Sequence, residues 1–208
     1  TFFPDKIATQ VELLEGSPND VGFSFTGSLE IYDDREYKKP VPEGLSEYHE
    51  LTLRNFSTMI DSAMMYKRVV FDTVGLLDES FPTHTGAEFI IRVAREFKGV
   101  GINQPLVRRL MVNDHLQMGS NVQKRIKGRI MLLERYADDF RKHPPILAKH
   151  LERLAKFYRT EKDYTTARRY FCKSLVLEPR LVRILHYLSM FLGGFGYRFF
   201  LKIKHRLQ

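Results

Sequence analysis

The chain has one cysteine in 208 residues, Cys172, so no internal disulfide framework can brace it. A lone thiol fits a reducing compartment and says nothing about reactivity. No secretory leader pattern stands at the front, because Thr1 to Gly16 is charged and has no apolar centre. These two absences make a cytoplasmic protein the expectation. Also lacking is a membrane span of about 20 apolar residues. The longest stretch of the tail free of Arg, Lys and His runs only from Tyr187 to Tyr197. No phosphate-cradling glycine loop, zinc-type ligand spacing or nucleophile elbow occurs, so the usual signatures of P-loop, zinc and α/β-hydrolase chemistry are missing. Acid disappears from Arg180 onward, where Arg183, Arg198, Lys202, Lys204 and Arg206 come after it.

The chain does carry a formal net charge of +8, unevenly spread. The first fifty residues are acid-rich, and nearly all the excess cation lies beyond Arg92. A basic total suits nucleic acid, membrane surfaces or anionic substrates, so its distribution decides among them. The basic run KRIKGR, Lys124 to Arg129, falls on a helix face without interleaved aromatics, and no nucleic-acid partner is expected from it. Residues 181–208 join an apolar, aromatic stretch to Lys202, Lys204, His205 and Arg206. Such a tail suits peripheral contact with an anionic membrane face, and equally a terminal helix packed on the domain.

Periodicity predicts alternating helix and strand up to about Met118. Asp5 to Glu15 reads as a helix with Ile7, Val11 and Leu14 inward, closed by Gly16 and Pro18. VGFSFTGSLEIY alternates, as a half-buried strand or hairpin does. Residues 33–44, with Pro40, Pro42 and Gly44, read as a loop, and 51–60 as a helix. A short buried strand is expected at Ala63 to Tyr66 and a helical turn capped by glycine at Val69 to Gly75. Gly86 to Phe97 should be a helix burying Phe89, Ile90, Val93 and Phe97. Gly99 to Val112 reads as a strand pair, or strand and loop, broken at Gln104 and Pro105. Val122 to Phe140 reads as a charged amphipathic helix ended by Pro144 and Pro145, the expected boundary. Ile146 to Pro179 reads as a helical hairpin with Leu151, Leu154, Ala155, Tyr158, Ala167, Phe171 and Ser174 at the large and small positions of its seam. That spacing resembles a single tetratricopeptide unit, which must stack on something to bury its face.

The segment DSAMMYKRVVFDTVGLLDESFPTHTGAEFIIR, Asp61 to Arg92, resembles the second half of a family 2 glycosyltransferase. Gly75, Leu77, Asp78, Glu79, Phe81, Arg92 and Ala94 stand in register with it. The opening, TFFPDKIATQVELLEGSPNDVGFSFTG, is similar to the stretch just after the metal-binding Asp-x-Asp of that family, through Pro4, Lys6, Ile7, Gln10, Val21 and Gly22. The resemblance implies an α/β class: an incomplete GT-A-like mixed sheet with flanking helices over 1–121. A connecting amphipathic helix over 122–143 and an α-helical, tetratricopeptide-like tail over 146–208 would come next. It further implies transfer of a sugar from a nucleotide-sugar donor to a glycan, lipid or protein acceptor. A divalent metal, Mg or Mn, would be bound mainly by a nucleotide-binding half expected ahead of Thr1, so the chain alone is not expected to be catalytically competent.

In that family the aspartate of an acidic pair removes the acceptor hydroxyl proton. Aligned through Glu88, Phe89 and Arg92, the pair falls on Thr85 and Gly86, where this chain has no acid. Three explanations stay open. Glu88, or a nearby acid such as Asp78 or Glu79, takes the role; the base comes from elsewhere; or the fold persists without the chemistry. Glu88 also suits a helix start through the dipole alone, and Asp78 and Glu79 suit a turn. His84, beside the missing acid, is a second catalytic candidate. Asp61 and Ser62 are substrate-binding candidates, since short polar side chains suit sugar hydroxyls as well as plain turns. Arg109, next to Arg108, suits phosphate oxygens. Arg92 suits a structural ion pair. His115, in NDHLQMGSN, is the metal candidate. The alternative function is a non-catalytic interaction or membrane-anchoring protein built on a degenerate transferase domain.

Overall fold

A computed structural model describes residues 1–33, 35–56, 59–111, 121–181, 183, 184 and 187. The chain divides into two compact units, Thr1–Ser120 and Asn121–Gln208. The first is mixed α/β, with α1 (Lys6–Glu15), β1 (Val21–Tyr32), β2 (Arg35–Lys39), β3 (Gly44–Ser46) and α2 (His49–Arg54). A 3-10 turn (Asp61–Ala63) then leads to β4 (Met64–Tyr66), α3 (Arg68–Val74), α4 (Thr85–Glu96) and β5 (Lys98–Leu110). The five strands make one mixed sheet, in which β1 runs parallel to β5 and antiparallel to β2 and β4, and β3 borders β5.

The alternation in β1 predicts a half-buried strand, but Val21 to Ser28 is buried on both faces. Phe23 and Phe25 pack against Tyr48, Met64, Val70, Phe89 and Val93. The opposite side of the strand is polar, and α1 supplies its partner: Gln10 Nε2 donates to Ser24 Oγ at 3.1 Å. This corrects the expected inward face of α1. Ile7 and Val11 are exposed, while Lys6, Gln10 and Leu14 are buried. Lys6 Nζ donates to Gln10 Oε1 at 2.6 Å and lies 4.5 Å over the Phe2 ring. Burial pushes its ammonium below the ordinary value. Gln10 Nε2 also donates to Ala63 O at 3.1 Å, tying α1 to the turn at Asp61–Ala63.

Gln10→Leu removes the oxygen from a buried ammonium and the donor from Ser24 and Ala63, and is expected to cost about 2–3 kcal/mol in chemical denaturation. Adding Lys6→Met should recover part of that loss, because the two side chains share one hydrogen bond.

Smaller differences from expectation have local causes. The loop over 33–44 contains β2, which folds back on β1 through Asp33 at φ 44°. The helix expected over 51–60 is α2, which begins at His49 and ends at Arg54. β5 is one strand rather than a pair; its ladder with β1 shifts register where Pro105, which has no N–H to give, stands opposite Gly27. Helix α4 buries Phe89, Ile90 and Val93 as its period requires.

The second unit holds α5 (Val122–Arg135), α6 (Ala137–Lys142), α7 (Pro144–Thr160) and α8 (Tyr164–Leu177). The stretch read as one connecting helix is thus two, separated at Tyr136, and both pack on α7. Pro144 opens α7, where its missing N–H costs nothing. A tight turn through Lys162, at φ 64°, joins α7 to α8, and Asp163 caps α8 by accepting from Thr166 N at 3.0 Å. Ala155, Ala167 and Phe171 form the seam of this hairpin, and Ser174 Oγ donates to Ala148 O at 2.7 Å, a contact only small residues permit. Arg129, the last residue of the basic run, turns inward against His150; burial, then Arg153 and Arg125, push its guanidinium down to about 9.

Arg183 is buried and gathers two carboxylates: its Nε donates to Glu152 Oε2 at 2.9 Å, and its Nη1 donates to Glu178 Oε2 at 2.5 Å. Burial alone would raise the Glu152 carboxyl, but hydrogen bonds from Lys156 and Arg183 hold it below the ordinary 4.5. A carboxylate depressed on folding stabilises the native state above its unfolded pKa and loses that contribution as pH falls through its folded one. The urea midpoint of this unit should therefore drop on the acid side of pH 4.5, and Arg183→Met should flatten that drop.

Among the described residues no helix is long and apolar enough to cross a membrane. Most of 181–208, the segment expected to touch a membrane face, lies outside the described residues.

Candidate functional site

The turn carrying Asp61 and Ser62 lies beside β1 and β5 and leads directly into β4. Its geometry is fixed from two sides. Ala63 N donates to Ile60 O at 2.8 Å within the turn, and Ala63 O receives the Gln10 amide from α1. Asp61 and Ser62 are left exposed, whereas Ala63 is buried.

The Asp61 side chain reaches the first turn of α4, at Gly86. A Cβ built on Gly86 would fall inside the Asp61 carboxyl group, so this carboxyl fills the notch that glycine leaves. Although Asp61 as a residue is exposed, the burial of its carboxyl against α4 pushes it above the ordinary carboxylate range, and Arg109 pulls the other way. The Tyr66 phenol on β4 is held protonated, by burial first and then by the Asp61 charge. Two chain segments therefore act on this carboxyl, the end of β5 and the start of α4, and the carboxyl in turn acts on Tyr66 of β4.

Arg109 is placed by a carboxylate at the end of β1. Its Nη1 donates to Glu30 Oε1 at 2.9 Å, and Lys39 Nζ stands 3.7 Å from the same oxygen. Tyr32 OH donates to the other oxygen at 3.2 Å. Burial lowers the Lys39 ammonium, Glu30 counteracts it, and Arg109 adds to the lowering. Glu30 and Lys39 are not among the sequence candidates. The signal that points to Glu30 is the polar row Ser24, Thr26, Ser28 and Glu30 on one side of β1.

The remaining candidates lie in other settings. Glu88 is fully buried, its Oε1 and Oε2 accepting from Arg92 Nε and Nη2 at 2.8 and 2.9 Å. Arg92 also donates to Val74 O and Leu76 O, clasping the turn after α3 at Gly75, φ 79°. Glu88 and Arg92 thus form a structural clamp closed to an incoming hydroxyl. His84 precedes α4 in the left-handed region, φ 67°, with its ring centroid 5.6 Å from that of Phe56. A non-glycine residue there is uncommon and needs support from its surroundings. Asp78 Oδ1 accepts from Ser80 N at 2.9 Å, a turn-capping role. Arg108 pairs with Glu36 on β2 at 3.0 Å. His115, the metal candidate, lies outside the described residues.

Among the described residues no three His, Cys, Asp or Glu side chains come together in a set that could hold a metal ion. No protein-family profile matches the chain, and no curated protein does.

Proposed function

We propose that Thr1–Ser120 is the acceptor-side portion of a GT-A-like glycosyltransferase fold, transferring a sugar from a nucleotide-sugar donor to a glycan, lipid or protein hydroxyl. The observation that carries this reading is the convergence at Asp61. The loop assigned to sugar contact, the start of α4 assigned to the acid and the end of β5 assigned to phosphate act on one exposed position. A carboxyl with raised proton affinity beside a guanidinium suits a reaction that takes a proton from a hydroxyl while negative charge develops on a departing diphosphate. The cation row Arg109 and Lys39 favours that leaving group. Residues 181–208 would bring the protein to an anionic membrane face, which suits a lipid-linked acceptor.

Calorimetric titration of the full-length gene product with UDP-glucose, UDP-N-acetylglucosamine and GDP-mannose tests the donor part of this reading. Binding of at least one donor is expected, weakened about tenfold or more by Arg109→Ala through loss of a charge-assisted contact. Donor binding that Arg109→Ala leaves unchanged would remove Arg109 from the site.

A further inference from the structure

Resting on the transferase reading, we propose that Asp61 is the proton acceptor for the attacking hydroxyl, its carboxylate reaching from the 3-10 turn into the notch that Gly86 leaves at the start of α4. The position and the vacancy explain each other. Side chains from 61 and 86 would claim the same volume, so a carboxylate can come from the helix or from the turn, and this chain brings it from the turn. Asp61 also differs from its neighbours in being an exposed residue whose carboxyl packs only against the backbone at the start of α4. Glu88 is sealed by Arg92, Glu30 is engaged by Arg109, Lys39 and Tyr32, and Asp78 serves its own turn.

The electrostatic setting suits the role. Arg109 from β5 favours the charged form, Tyr66 from β4 stays neutral beside it, and α4 presents the bare backbone of Gly86. The end of a helix that carries partial positive charge holds the carboxylate ready without neutralising it. The turn itself is anchored to the buried Lys6–Gln10 pair through Ala63, so the carboxylate is carried on a fixed support.

In the step this assigns, the acceptor oxygen forms a bond to the anomeric carbon of the donor while the bond from that carbon to the diphosphate oxygen breaks. The bonding pair leaves with the nucleoside diphosphate, and the acceptor proton moves to Asp61. No oxidant or reductant is needed.

The test uses the full-length gene product with UDP-glucose, UDP-N-acetylglucosamine and GDP-mannose as donors and methyl glycosides as acceptors, reading nucleoside diphosphate release. Asp61→Asn is expected to lower kcat by about 10²–10⁴-fold with donor KM unchanged. The acid limb of the wild-type rate profile should lie above the ordinary aspartate value of 3.8 and vanish in the variant. The double variant Asp61→Ser with Gly86→Asp, which returns the carboxylate to the helix, should regain part of the lost kcat. If Asp61→Asn folds poorly, Gly86→Ala carries the test: its methyl evicts the carboxyl from the notch while favouring the helix, so kcat should fall without loss of Tm. Wild-type turnover that both Asp61→Asn and Gly86→Ala retain overturns the assignment and leaves the transferase reading standing. A wild type that turns over none of these donors overturns that reading, and the assignment falls with it.

Discussion

Arg92→Ala is expected to destabilise the first unit by about 3–5 kcal/mol, a loss of roughly a hundred- to several-thousand-fold in the folding equilibrium. The reason is Glu88. Its carboxylate is fully buried, with both oxygens on the Arg92 guanidinium. Removing the arginine takes away the guanidinium that both oxygens of this buried carboxylate use, which costs more than the intact pair contributes. The same substitution frees Val74 O and Leu76 O, so the turn after α3 loses its brace as well. Glu88→Gln should cost less, because the amide keeps an acceptor for Arg92 and the guanidinium, which is partly exposed, keeps its two carbonyls. Urea denaturation of both variants checks the order. Equal losses would mean that the charge on Glu88 is not the cause.

Gly101→Ala is expected to cost about 2–3 kcal/mol, although it adds only one methyl. Gly101 lies on β5 opposite Gly44, where the chain from Pro40 to Gly44 crosses the strand. A Cβ at Gly101 would collide with the backbone carbonyl of Pro42, and a carbonyl cannot rotate away as a side chain can. The chain there is also tied down, since Val41 N donates to Asn103 Oδ1 at 3.2 Å. Relief requires moving β3 off the sheet. Hydrogen exchange of the β3 and β5 amides should rise in this variant, with the β1–β4 pair less affected. Gly86→Ala is the contrasting case, because the group it meets is the far end of the Asp61 side chain, which can swing out.

Legibility in the sequence depends on which interactions leave a periodic trace. The inward face of α4 is readable because Phe89, Ile90 and Val93 are apolar at helical spacing and do pack inward. The hairpin of α7 and α8 is readable from its small residues, which sit where the helices approach. The face of α1 is not. Ile7 and Val11 trace an apolar stripe, yet the core side carries Lys6 and Gln10, since Ser24 on β1 demands a polar partner that hydrophobic periodicity cannot register. The resemblance through Pro4, Lys6, Ile7 and Gln10 is visible in the sequence, but the physical role of Gln10, anchoring the turn at Asp61–Ala63, emerges only from its contact with Ala63 O.

The candidate site shows the same division. Asp61, Arg109 and Gly86 each stand out in the sequence, two as ligand contacts and one as a missing acid. That the first fills the space over the last depends on the packing of a turn against a helix, and no local pattern encodes it. Glu88 has the right chemistry at a suggestive place, but the i,i+4 spacing to Arg92 closes it into a salt bridge. Glu30, which positions Arg109, belongs to the alternating polar row of β1, and its importance is visible only once β5 lies alongside.

Sugar transfer with a proton accepted at the Asp61 notch is decided by a time course of product formation. The full-length gene product is supplied with a nucleoside diphosphate sugar and a hydroxyl acceptor, and wild type is compared with Asp61→Asn. Steady glycoside formation by the wild type is expected, matched by nucleoside diphosphate release and reduced at least about a hundredfold in the variant. Equal rates for the two proteins, or no glycoside from either, would refute it.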